Sequence, residues 1–151
     1  MKMIRFLILT ALVLPFLPLA AQNEVNLALG KKVSASSTNR KNLPKFGTDG
    51  DKKTRWESQA SDPQWFTVDL DREETVGRVV IFWENSFAKE FKIQLSSDGK
   101  NWEQAYFTRA GKGKKSVIRF APRKTRYVRF TADQRSSWSG YSFSELQIFA
   151  K

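Results

Sequence analysis

Phe91-Lys92-Ile93-Gln94-Leu95 alternates apolar and polar residues strictly, and so does Phe66-Thr67-Val68-Asp69-Leu70. A two-residue period predicts strands with one buried face. Leu146-Gln147-Ile148 alternates too, and Arg126, Val128 and Phe130 share one face of a further predicted strand. Val79 to Trp83 is continuously apolar, as expected of a central strand covered on both sides. Turn signals separate these runs: Asp49-Gly50, Ser97-Asp98-Gly99, Gly111-Lys112-Gly113 and Ala121-Pro122. No stretch sustains a 3.6-residue period, no internal repeat is visible and no long linker marks a second domain. Short strands with regular turns predict an all-β sandwich.

The first residues follow a different pattern. Lys2 and Arg5 form a basic start, Phe6 to Leu19 an apolar run, and Ala20-Ala21 a small-residue cleavage site. Fourteen residues interrupted by Pro15 and Pro18 fall short of the roughly 18 to 20 that span a bilayer. Residues 1–21 are therefore expected to be a signal peptide, and residues 22–151 one exported domain, secreted or periplasmic, with no transmembrane segment. The chain has no cysteine, so the leader is not of the lipoprotein type and the domain relies on its core without disulfides.

Charge changes the picture next. The net charge is +11, and subtracting the two leader cations leaves +11 − 2 = +9. Between Gln104 and Ala132 there are nine basic residues and no acidic one: Arg109, Lys112, Lys114, Lys115, Arg119, Arg123, Lys124, Arg126 and Arg129. Such a run is either a solvated face or an attractor of polyanions. With no histidine and no cysteine, imidazole bases, thiol nucleophiles and His/Cys metal clusters are excluded. Carboxylate chemistry survives, with Glu57, Glu84, Glu103 and Glu145 as candidates. A glycosidase pair requires two carboxylates facing each other across about 5 to 9.5 Å, and no enzyme is expected.

Four motifs in register carry a resemblance. They are Asn26-Leu27-Ala28-Leu29-Gly30 with its following Lys31-Lys32-Val33-Ser34-Ala35-Ser36-Ser37, Gly47-Thr48-Asp49-Gly50-Asp51-Lys52-Lys53-Thr54-Arg55-Trp56-Glu57, Asp62-Pro63-Gln64-Trp65-Phe66-Thr67-Val68-Asp69-Leu70, and Ser139-Gly140-Tyr141-Ser142-Phe143-Ser144-Glu145-Leu146-Gln147-Ile148-Phe149. The chain from about Val25 onward resembles the discoidin domain, the C-type domain of coagulation factors, and its bacterial form, the family 32 carbohydrate-binding modules. The resemblance implies an eight-stranded antiparallel jelly-roll-like sandwich with loops gathered at one end. It also implies binding without catalysis.

Asp49, Asp51 and Thr54 lie on one short loop, and Glu145 stands near the other end of the chain. Calcium takes six to eight hard oxygens, which an Asp-Gly-Asp turn can aim at one point because Gly50 permits the reversal. An ion-free Asx turn fits the same residues. The resemblance implies structural calcium, with Asp49 and Glu145 as side-chain ligands, Asp51 and Thr54 through side chain or carbonyl, and Phe46 and Ser144 through carbonyls.

For sugar, Trp83-Glu84-Asn85-Ser86-Phe87-Ala88-Lys89 resembles a motif of modules attached to polysaccharide-degrading enzymes. It implies Glu84 as a ligand contact, with Asn85 and Phe87 beside it. Arg55 comes from the calcium-loop motif, and Arg135, Trp138 and Tyr141 from the loop Arg135 to Tyr141. Trp56, Trp65 and Trp83 read as core, where large rings dominate. Tyr141 also fits a buried ring, and Arg55 a structural ion pair. Trp138 lies among serines and a glycine, which predicts an exposed loop position. The histidine of the galactose-binding pattern is absent. Thr38, Asn39, Arg40 and Lys41 occupy the variable first loop, which is expected to tune specificity. The leading function is thus binding of a glycan or polysaccharide, an acidic one being favoured by the basic surface. Adhesion to an anionic polymer, a protein partner or an anionic membrane without a true sugar pocket, the membrane through Trp138 and Leu43, stands as the alternative. No specific nucleic-acid binding is expected, because Phe120, Tyr127 and Phe130 in the basic run read as strand core.

Overall fold

The computed structural model describes residues 24–151, so the predicted leader and its cleavage site lie outside the described residues. The strands are β1 (Lys32–Ala35), β2 (Trp56–Glu57), β3 (Gln64–Trp83), β4 (Ala88–Ser96), β5 (Glu103–Thr108), β6 (Lys115–Arg135) and β7 (Ser142–Phe149), with a 3-10 turn at Pro44–Gly47. All pairings are antiparallel. One layer runs β1, first half of β3, second half of β6, β4, β5. The other runs first half of β6, second half of β3, β7, β2.

Seven strands stand where eight were expected. The reason is that β3 and β6, 20 and 21 residues long, bend together and pass from one layer into the other. Their register shifts between Asp69 and Glu74 and again between Val76 and Arg78. Ala121-Pro122 therefore marks a bend within β6 and not a turn between strands. Pro122 falls outside the ladder there, where its missing N–H costs nothing.

Alternation turns one side of each strand inward. Phe66, Val68, Ile93, Val128 and Phe130 from the first layer meet Val79, Ile81, Phe143, Leu146 and Ile148 from the second, all essentially buried. Trp56, Phe66 and Phe143 form a triangle with every pair of ring centres 5.0 Å apart, within the range where tilted and edge-on rings attract. Trp56 and Trp83 are core, as expected. Trp65 is not: it lies half-buried on the outer face of the first layer, since Phe66 and Val68 set the inward parity. Arg126 likewise leaves the buried face of Val128 and Phe130, because it sits at the bend and reaches Asp69 instead. Among the described residues no helix is long and apolar enough to cross a membrane.

The Asp69–Arg126 pair gives a pH-dependent expectation. Two hydrogen bonds, 2.9 and 3.0 Å, run from the guanidinium to the carboxylate and hold Asp69 below its ordinary carboxylate range, against the opposing effect of burial. A lowered folded pKa contributes stability above the unfolded value of about 3.9 and loses it as pH falls through the folded value. Arg126 is well exposed, so solvent screening keeps the pair's contribution small. Urea melts of Asp69→Asn should show a small loss at neutral pH that closes as pH falls below the ordinary carboxylate range; a constant gap would mean the loss is not electrostatic.

Candidate functional site

Four segments meet at one end of the sandwich: the first loop after β1, the link from β2 to β3, the turn from β3 to β4, and the link from β6 to β7. Backbone hydrogen bonds tie them together, among them Asn39 N to Glu57 O (2.7 Å), Ser58 N to Tyr141 O (2.9 Å), Ser136 N to Phe87 O (2.9 Å) and Ser142 N to Ser86 O (2.8 Å). Gly140 lets two of them touch, since a Cβ there would lie 2.0 Å from the Ser58 carbonyl oxygen. Between them opens a polar groove of about 170 Å3, lined by Arg55, Glu57, Glu84, Asn85, Ser86, Ser139 and Ser142.

Three of the expected ligand residues, Arg55, Glu84 and Asn85, come together in this groove. Arg55 also makes the structural ion pair, 3.3 Å from Glu57. Glu57, named in the sequence only as a candidate carboxylate, joins the groove, and Ser86, Ser139 and Ser142 are lining residues that sequence reasoning missed. Asn39 and Asn42 donate to the two Glu57 carboxylate oxygens at 2.8 Å each, so three neighbours saturate it. Glu84 makes no ion pair among the described residues and is the free carboxylate of the groove. The Ser142 hydroxyl is buried without a partner. Trp138, on the same loop as Ser139, is 88% exposed, as its serine-rich surroundings predicted.

Neither Trp138 nor the other three expected ligand residues line the groove. Tyr141 is fully buried, its hydroxyl donating to Asp62, and burial together with that carboxylate pushes its pKa far up. Phe87 is half-buried against the core and packs over Gly113, because it belongs to the closing turn before β4. Arg135 braces the loop from below, its guanidinium reaching Asp62 Oδ1 and the Trp138 carbonyl, each at 3.2 Å.

The acidic loop forms a second polar cluster. Thr54 donates to Asp49 Oδ2 at 2.8 Å, and Asp49 Oδ1 accepts from Asp51 N at 2.9 Å. The Asp51 carboxylate caps its own turn through Lys53 N, at 2.9 Å. Gly50, with φ of +82°, turns its N–H onto Glu145 Oε1 at 2.6 Å. Glu145 is buried, and its Oε2 has no hydrogen-bond partner. Burial pushes its carboxyl up to about 7, the Gly50 N–H pulling it partly back and Asp49 pushing it further. Ser144 is the extra residue of a bulge between the Phe82–Glu145 and Trp83–Phe143 pairs, and Phe46 lies in the 3-10 turn just before the loop. An orphaned carboxylate oxygen beside a second carboxylate and carbonyl-rich turns fits a hard cation. Two carboxylates are all the acidic ligands this arrangement offers, so carbonyls and water would complete the sphere.

The basic run does not form one surface. Arg126 is bound to Asp69, and Arg129 lies between two indoles, 3.9 Å from the Trp102 ring centre and 4.5 Å from that of Trp65. Arg109 reaches Glu90 and Arg123 reaches Glu103. Lys112, Lys114, Lys115 and Arg119 stay exposed around the edge where β6 begins. Of the aromatics in the run, Phe130 is core, Phe120 packs at its margin and Tyr127 lies outside it.

The sequence pattern of the F5/8 type C domain matches residues 32–146. This chain belongs to that family. Among solved structures, chitosan-binding module 1 of a chitosanase/glucanase from Paenibacillus sp. IK-5 is 37% identical, with a TM-score of 0.80 over 83% of this chain and 98% of the module. Module 2 of the same enzyme, solved with chitotriose, is 33% identical with a TM-score of 0.80 over 82% and 99%. The CBM32 of AlyQ, solved with 4,5-unsaturated mannuronic acid, is 30% identical with a TM-score of 0.68 over 80% and 95%. A polysaccharide lyase 8 family protein, HylA of Enterococcus faecalis, is 26% identical over 84% of this chain, which spans only 10% of the lyase's length. The F5/8 type C chain described here is thus similar to whole carbohydrate-binding modules and to one small part of a polysaccharide-degrading enzyme.

Proposed function

We propose that this protein is an exported, non-catalytic glycan-binding module whose loop groove takes an amino-sugar oligosaccharide. The observation that carries the reading is Glu84: an unpaired carboxylate in a groove otherwise lined by hydroxyls, an amide and the saturated Arg55–Glu57 pair. A sugar ammonium beside Glu84 would make a charge-assisted hydrogen bond, and Asn85, Ser86, Ser139 and Ser142 would meet ring hydroxyls. Trp138 offers the ring face. The modules 37% and 33% identical to this chain, described as chitosan-binding, support this choice of sugar. The shallow volume suits a chain end or a short segment, and the leader-like first residues support export. Glu57 does not read as a catalytic partner of Glu84, because Asn39, Asn42 and Arg55 occupy it. Bound calcium, held by Asp49, Glu145 and nearby carbonyls, would tie the acidic loop to β7 and do no chemistry.

An acidic glycan is the second reading, favoured by the excess of cations and by the AlyQ relative. Calorimetry with chitotriose, its fully N-acetylated form and an oligomannuronate separates the two. Chitotriose is expected to bind most tightly, and Glu84→Gln to weaken it by about tenfold or more, as for a lost hydrogen bond to a charged group. Unchanged chitotriose affinity in Glu84→Gln, or uronate binding that competes with chitotriose and exceeds it, would overturn the amino-sugar assignment.

A further inference from the structure

A further cavity lies away from the loops. It measures about 330 Å3, and its polar and aromatic lining includes Asp98, Asn101, Trp102, Glu103, Arg123 and Lys124. It sits where β4 ends at Ser96, whereas the loop groove opens beyond the Ala88 end. Nine residues of strand, about 30 Å at 3.3 Å each, separate the two.

We propose that this cavity is a second carbohydrate site, specific for an acidic sugar. Its volume falls within the roughly 300 to 1,000 Å3 of ligand pockets, and it combines an aromatic wall with a few polar groups. Trp102 is fixed in place: Arg129 stacks on it at 3.9 Å and is itself anchored by the Trp65 ring at 4.5 Å and by Thr67 Oγ1 at 2.8 Å. A sugar-stacking surface held this way loses little entropy on binding.

The sign of the ligand follows from which charges are already used. Asp98 accepts from Lys100 N, Asn101 N, Asn101 Nδ2 and Ser96 Oγ, all within 2.9 Å. Those bonds hold it far below the ordinary carboxylate range, and they leave it shaping the turn and not receiving ligand. Lys124 has no ion pair among the described residues, and Arg123 reaches the exposed Glu103 at 3.4 Å and the Gln104 carbonyl at 3.5 Å. The charge left unpaired at the cavity is therefore the Lys124 ammonium, and beside it Arg123 is held only by a surface pair to Glu103 that a ligand carboxylate can replace. A hexuronate fits, its ring on Trp102 and its carboxylate between Arg123 and Lys124. A single indole favours a sugar over single-stranded nucleic acid, which uses successive stacked bases. The site is independent of the loop groove and would let one domain hold two polysaccharide segments.

The test is a titration of the 15N-labelled protein with an oligomannuronate hexamer, with cellohexaose and with a thymidylate dodecamer, followed by NMR. Saturable shifts of the Trp102 indole and of the Ser97–Trp102 amides are expected with the uronate alone. Arg123→Ala with Lys124→Ala should weaken them by about tenfold or more while leaving the fold unchanged. Glu84→Ala should leave them intact, which separates this site from the loop groove. Trp102→Phe should retain weaker binding if Trp102→Ala destabilises the protein. Absent shifts at residues 97–102, or shifts that persist in the double variant, would overturn the proposal. An equal response to thymidylate would replace it with a general polyanion patch.

Discussion

Trp138→Ala is expected to leave the melting temperature unchanged and to weaken oligosaccharide binding by about ten- to a hundredfold, as for truncation of an aromatic anchor. The two halves of this result come from one fact: 88% of the indole is in water. It contributes little packing to the fold, and surface substitutions of that kind usually stay within about 0.5 kcal/mol. Trp138 is the chain neighbour of Ser139, which lines the groove, and the proposed binding mode has its ring cover a sugar face. Trp56→Ala provides the contrast. Trp56 is fully buried between Phe66 and Phe143, and its truncation should cost about 3 to 5 kcal/mol. Thermal melts and calorimetry on both variants read the difference directly. A Trp138→Ala protein with wild-type affinity would remove this ring from the site.

The Trp138 prediction was legible in the sequence because it depends on neighbours in the chain. Four serines and a glycine around one indole leave no apolar surface to pack on. Strand alternation is equally local, so the buried faces of β4 and of the first half of β3 followed from periodicity. What the sequence hid depends on partners far along the chain. Glu57 becomes part of the groove only when Asn39 and Asn42 arrive from the first loop. Tyr141 looks like a loop aromatic until Asp62, on another loop, meets its hydroxyl. The basic run was legible as charge but not as surface. Its alternate residues point to opposite faces, and Arg126 and Arg129 are taken up by Asp69 and by two indoles.

With Arg126 and Arg129 internally occupied and Arg109 paired to Glu90, the rest of the basic run falls into two groups. Lys112, Lys114, Lys115 and Arg119 lie along the edge of β6, and Arg123 and Lys124 lie at the far cavity. Neither group lines the loop groove, whose free charge is the carboxylate of Glu84. One positively charged domain therefore presents a negative groove at one end and positive ground elsewhere. Raised salt should affect the two ends differently: exposed charges are screened beyond about 8 Å at physiological ionic strength, whereas contacts made inside the groove survive.

Calcium is expected to raise the melting temperature by about 10 °C at a hundredfold excess over its dissociation constant. A ligand that binds only the folded state adds RT ln(1 + [L]/Kd), about 2.7 kcal/mol at that ratio, and each kcal/mol shifts a domain of this size by roughly 3 to 5 °C. The structural reason is Glu145, a buried carboxylate with one oxygen on the Gly50 N–H and the other without any partner. Leaving such a group unpaired costs free energy, and a cation would remove that cost while joining Asp49 to β7. Two variants separate the ion from the loop. Asp49→Ala should abolish the calcium response by deleting one of the two carboxylates. Glu145→Gln should abolish it too, yet in chelator it should melt at or above the wild-type temperature. Its amide oxygen can keep the Gly50 bond, and no uncompensated charge remains buried. Wild-type protein that melts identically with calcium and with chelator would rule the ion out, and the acidic loop would then be a hydrogen-bonded turn that carries its buried carboxylate without a metal.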